Sequence, residues 1–194
     1  MTALLTACAS KRMATPDIEV HFLTFSTDRM GEALHPFSGF AASVCQLRPE
    51  SRGNLHIKSA NPREYPSIRV NYLSTEEDRR ANVDGLKFLR SILQSPAMAD
   101  YSGEEYEPGP SCVTDEDLLA YVRAKGSTIY HPVSTCRMGV DPKAVVTPDL
   151  KVKGLRALRI ADGSILPTLI SGNTNAGIIM IGEKASDMIL EDAK

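Results

Sequence analysis

The sequence has no cysteine pair at metal-binding or redox spacing. Its four cysteines, Cys8, Cys45, Cys112 and Cys136, stand far apart, so reduced thiols are expected and neither a zinc site nor a disulfide framework is. It has no excess of positive charge either. Lys and Arg number 22 against 24 Asp and Glu, a net charge of −2, whereas a nucleic-acid binder needs a basic stripe to meet phosphates. No apolar run approaches the ~20 residues that span a bilayer. There is no glycine-rich phosphate motif: neither GxGxxG after a strand nor GxxxxGK before Ser or Thr occurs. Repeats, low-complexity tracts and a long linker are also absent.

What remains suits a soluble globular chain, with 42% hydrophobic and 24% charged residues over 194 positions. That length supports one good core plus an appendage. Leu5-Thr6-Ala7-Cys8 matches a bacterial lipoprotein consensus. However, no basic segment precedes it and the apolar stretch is too short for a signal peptide. The expectation is that Met1 lies inside a longer parent sequence and that the protein is cytoplasmic.

Apolar and polar residues alternate over 17–26, with Ile18, Val20 and Phe22 on one face, which predicts a half-buried strand. Residues 39–47 predict a second, more buried strand. Residues 54–59 and 67–73 predict two more, separated by turns at His35-Pro36, Pro49 to Gly53 and Asn61-Pro62. Successive strands with short connections predict an antiparallel sheet. The period then becomes helical. Ser74 with Glu77 predicts a capping box before a helix over 75–95, in which Gly85 marks a close packing contact. Thr114 with Asp117 predicts a second helix ending near Gly126. Ala157 to Ala161 predicts a short buried strand. The final helix, 175–191, is apolar almost all round and predicts burial against something beyond the preceding sheet. Strands followed by helices predict an α+β fold.

Few residues suggest chemistry. His131 precedes Pro132, which excludes a regular helix or central strand there. A histidine on such a turn can take or give a proton near neutrality. From spacing alone, a hydrogen-bonded structural histidine is the commoner reading. His21 and His56 fall on the polar phase of strands and are expected to be solvated, and His35 marks a turn. Ser171 to Asn175 precede the last helix. They read equally as N-caps or as an anion site at a helix N-terminus, where Asn173 can also donate its amide to a substrate oxygen. Ser134 lies three residues after His131 but has no nucleophile-elbow sequence around it. Arg48 and Arg52 are more simply solvated than carboxylate-binding.

The segments HPVSTCRMG, VVTPDLKVKGLRALRIADGSILPT and SGNTNAGIIMIGEKASDMIL, in that order, resemble the C-terminal signature of the glucose–methanol–choline (GMC) oxidoreductases. CQLRPESRGNLHIKSANP and VNYLSTEEDRRANVDGLKFLRSIL resemble substrate-domain segments of its choline-dehydrogenase-like branch. The similarity runs from about Pro16 to Leu190.

The resemblance implies an FAD enzyme that oxidises an alcohol by hydride transfer to flavin. By position, His131 matches the histidine that takes the hydroxyl proton, and Asn173 the second active-site position. Asp162 and Gly163 match a segment beside the FAD phosphates and ribityl chain. Thr174 and Asn175 match residues beside the flavin ring. No metal is implied. Ser134 replaces a common glycine of the family, and Gly177-Ile178 a common Pro-Thr, which softens the flavin-side loop.

The implied division is a parent-chain segment over 1–16, a substrate domain over 17–126, and an active-site loop with the end of the FAD domain over 127–194. The implied partners are a small alcohol and the N-terminal FAD-binding half. Without that half, the last helix is expected to expose much of its apolar surface, which predicts instability or association, including a homo-oligomer. The alternative is a truncated, non-catalytic remnant that binds no flavin by itself.

Overall fold

The computed structural model describes residues 2–9, 14–29 and 31–194. Part of the N-terminal segment, residues 1 and 10–13, therefore lies outside the described residues. Among the described residues the architecture is mixed, with two small antiparallel sheets and three α-helices. Two compact units emerge. One comprises Met1–Ser51 with Tyr72–Ser127, and the other Arg52–Asn71 with Thr128–Lys194.

The first unit holds a three-stranded sheet of β1 (Thr2–Ala7), β2 (Ile18–Leu23) and β3 (Ala41–Gln46), with β2 in the middle. Strand β1 is invisible to pattern reading. Its Ala and Leu residues favour a helix, and only pairing with β2, from Thr2 opposite Leu23 to Ala7 opposite Ile18, holds it extended. Ile18 and Val20 pack with Leu89 of helix α1 (Glu76–Leu93) in a small core. The helix approaches closely because Gly85 has no side chain. A Cβ there would lie 3.3 Å from Val44 Cγ2 and 3.6 Å from Ile18 Cγ2, the close contact expected of that glycine.

The cap of α1 differs from expectation by one residue. Thr75, not Ser74, accepts from the Asp78 amide, while the Ser74 amide donates to Ser51 Oγ. Asp78 turns this helix start into an anchor. Its carboxylate accepts from Gln46 Nε2 at 2.9 Å and from the amides of Glu50 and Ser51 at 2.8 and 2.7 Å. The turn after β3 is thereby tied to α1. Helix α2 (Asp115–Lys125) has the expected Thr114–Asp117 capping box and buries Leu118. His21 departs from its solvated reading. Its side chain is 18% exposed and faces buried Glu19 at 3.6 Å, on the same face of the strand two residues away. His56, in contrast, is exposed.

In the second unit, β4 (Asn54–His56) and β5 (Ser67–Arg69) pair only with each other. The four anticipated strands thus do not form one sheet. The last of them stops early because Asn71 and Leu73 adopt φ of 56° and 57°, left-handed values that end an extended run. Ala157 to Ala161 is no strand either. Only Arg159 pairs, in a single bridge to Lys151, and Ala157 at φ 57° breaks the extension.

The core of this unit is Val146, Leu150, Ile165, Leu166, Ile181 and Ala185. Helix α3 (Asn175–Asp192) contributes the last two from one stripe. Ile179, Met180, Ile189 and Leu190 on its other faces are exposed. The all-round apolar helix is therefore buried on one side only in this chain. Lys151 and Arg159 both pair with Asp192, fastening its C-terminal end.

Candidate active site

His131 sits on an irregular loop whose shape is set locally. Tyr130 before it has φ 61°, and its amide donates to Thr128 Oγ1 at 3.0 Å. Pro132 after it fixes the next turn. The imidazole is half-buried, and among the described residues it has no hydrogen-bond partner.

The chain then runs alongside residues 164–167. The Cys136 and Met138 amides donate to the carbonyls of Ser164 and Ile165 at 3.0 and 2.8 Å. Ser134, at φ 76°, donates its hydroxyl to Leu166 O at 2.7 Å and lies 3.1 Å from Pro167 O. Its proton is committed to these carbonyls, so it is no partner for His131 as a hydrolase nucleophile would be. Sequence reasoning weighs Ser134 as a nucleophile and as a departure from a common glycine, but misses this tie. The signal is a non-glycine residue at a glycine position.

Asp162 and Gly163 form the adjoining turn. Asp162 is exposed and accepts from the Ser164 amide at 2.7 Å, capping a 3-10 turn over Gly163–Ile165. Gly163 is pressed between two segments. A Cβ there would meet Ile178 Cδ1 at 3.0 Å and Val133 Cγ1 at 3.9 Å. Val133 belongs to the His131 loop and Ile178 to the first turn of α3. Three stretches distant in sequence, 131–138, 162–167 and 174–178, thus converge around one glycine.

At the start of α3, Thr174 is buried, and Asn173 and Asn175 are exposed. Thr174 occupies the cap position but makes no side-chain capping bond. The first intrahelical bond runs from the Ile178 amide to Thr174 O. The amides of 175–177 therefore keep the positive end of the helix dipole available to an acceptor. Gly177 gives room to Ile170, whose Cδ1 would lie 3.1 Å from a Cβ.

The six residues singled out, His131, Asp162, Gly163, Asn173, Thr174 and Asn175, all fall in the second unit. Other candidates fall in the first unit. His35 contacts Ser26 Oγ and Asp28 and stacks on Phe37. Arg48 donates to Thr15 Oγ1. Burial, and then the charge of Glu19, push the Cys45 thiol up to about 11, so it is no nucleophile at neutral pH. Among the described residues no group of His, Cys, Asp and Glu is arranged to hold a metal. No described helix is long and apolar enough to cross a membrane.

Comparison with known proteins gives this geometry a family. An alcohol dehydrogenase (acceptor) from Pseudomonas putida is 44% identical over 175 residues, covering 90% of this chain and 32% of that protein. An oxygen-dependent choline dehydrogenase from Citrobacter koseri is 43% identical over 181 residues, covering 93% and 32%. The chain thus spans about a third of the length of these curated relatives. Among solved structures, pyridoxine 4-oxidase from Mesorbium loti superposes with a TM-score of 0.85 at 27% identity, over 95% of this chain and 36% of that one. Formate oxidase from Aspergillus oryzae superposes with a TM-score of 0.85 at 25% identity, over 93% and 32%. A family model described as GMC oxidoreductase matches residues 49–182, and the chain belongs to that family.

Proposed function

We propose that this chain is the C-terminal part of an FAD-dependent oxidoreductase that converts a primary alcohol to an aldehyde, with His131 as the base. The observation that carries the reading is the convergence of the His131 loop, the Asp162-Gly163 turn and the α3 N-terminus around Gly163. Relatives named as alcohol and choline dehydrogenases support a CH–OH donor. Residues 17–126 would form the substrate domain and 127–194 the active-site loop and the end of the FAD domain. The nucleotide-binding part would come from the two thirds of the family length outside this chain.

The residues present fit FAD. The uncapped amides at the start of α3 suit the electron-rich side of a flavin. Thr174 and Asn175 would hold the ring there, with Asp162 and Gly163 beside the phosphates and ribityl chain. FAD supplies the hydride acceptor when bound.

The protein's own share is proton handling and charge stabilisation. A neutral His131 accepts the hydroxyl proton, which requires hydrogen-bond reach directly or through one water. Its imidazole is suited to this, since no described side chain or carbonyl occupies either nitrogen. The Asn173 amide donates to the alcohol oxygen as negative charge grows on it, a contribution of about 3 kcal/mol for one well-placed donor.

The deciding experiment measures alcohol turnover and flavin retention by an enzyme that joins this chain to a flavin-bearing N-terminal part. Flavin retention with turnover supports the reading. A chain that takes up no flavin in that setting is the inert remnant instead.

A further inference from the structure

We propose that Ser134 is a positioning residue for His131, its hydroxyl latching the histidine loop to the turn that carries Gly163. The inference rests on His131 being the base. Between His131 and the first downstream backbone tie, the Cys136 amide to Ser164 O, the only fastening among the described residues is the Ser134 hydroxyl on Leu166 O at 2.7 Å, with Pro167 O at 3.1 Å. Leu166 itself donates its amide to Gly163 O at 3.3 Å. The latch therefore joins the His131 loop to the turn against which α3 begins.

The backbone supports this assignment. Ser134 has φ 76°, a left-handed conformation that a side chain rarely adopts unless its surroundings over-determine it. Here the surroundings are the two carbonyls. Upstream, Tyr130 is also left-handed and is held by Thr128 Oγ1. Pro132 restricts the residue between. The loop is thus clipped on both sides of His131, and Ser134 is the clip on the side of the cofactor turn. Small displacements of a reacting group cost large factors in rate, so this clip acts on turnover through His131.

Two variants test the assignment. Ser134→Ala removes the hydroxyl and keeps the left-handed strain, whereas Ser134→Gly removes both. In the flavin-loaded enzyme, each is expected to lower kcat about tenfold, with KM within about twofold. In a His131→Ala background, Ser134→Ala is expected to cause no further loss, because it acts through the missing imidazole. In the 194-residue chain, amide exchange over residues 133–138 is expected to quicken in both variants. Unchanged kcat in both single variants overturns the proposal. So does recovery of full kcat by Ser134→Gly, which would assign the effect to strain, or an equal loss from Ser134→Ala with and without His131. Undiminished turnover of His131→Ala refutes the base assignment instead and leaves the exchange result as an independent measure of the latch.

Discussion

Gly163 lies against Ile178, so closely that a Cβ on the glycine would fall 3.0 Å from Cδ1 and 3.3 Å from Cγ1. This contact sets the Asp162-Gly163 turn on the first turn of α3. Gly163→Ala must push the end of the isoleucine aside, an overpacking expected to cost about 1–2 kcal/mol. Ile178→Val removes Cδ1 and by itself is expected to cost about 1 kcal/mol. The double variant should be less destabilised than the sum of the two. Thermal or urea unfolding of all four proteins measures this, and simple additivity would show that the contact is not the source of the cost.

Asp78 predicts how acid affects the first unit. Burial pushes its carboxyl up, but bonds from the Glu50 and Ser51 amides and Gln46 outweigh that and hold it below the ordinary range. A value depressed in the folded state gives stability that is complete above the unfolded value of about 3.9 and is lost as pH falls through the folded value. Asp78→Asn is expected to lower stability at neutral pH by about 2 kcal/mol and to flatten the acid limb of the stability curve. An acid limb as steep as in the unsubstituted protein would place the sensitive group elsewhere.

The cysteines should differ in reactivity. Cys8 is exposed, whereas Cys45 is half-buried and its thiol is pushed up to about 11. The thiolate is the reacting species. Alkylation at neutral pH, followed by peptide mass spectrometry, should therefore modify Cys8 first and Cys45 slowly. Equal rates would contradict the assigned surroundings of Cys45.

His131→Ala in the flavin-loaded enzyme should lower kcat by about a hundredfold or more, the usual worth of a general base, while flavin absorbance is retained. Asn173→Ala should lower kcat more than it raises KM, because its hydrogen bond strengthens only as charge develops. An effect confined to KM would mean that Asn173 serves binding alone.

Local chemistry makes much of this chain legible in its sequence. The Thr114–Asp117 box, the 3.6-residue period of α1 and α3, the alternation around Ile18 and Val20, and the close approach at Gly85 all follow from short-range stereochemistry and apolar spacing. The ordered motifs around His131 and Asn173 indicate the family for the same reason, since each is a contiguous run. What pattern reading does not supply is long-range. Strand β1 exists because β2 pairs with it. The strand after β4 ends at Arg69, and the 157–161 run fails as a strand, because single residues such as Asn71, Leu73 and Ala157 turn left-handed. The site depends on such distant contacts most of all. The sequence by itself determined which residues carry polar chemistry. Only tertiary structure decided that Val133, Gly163 and Ile178 meet and that the Ser134 hydroxyl closes on Leu166 and Pro167, because contacts between segments 15 to 33 residues apart depend on packing and have no local period to announce them.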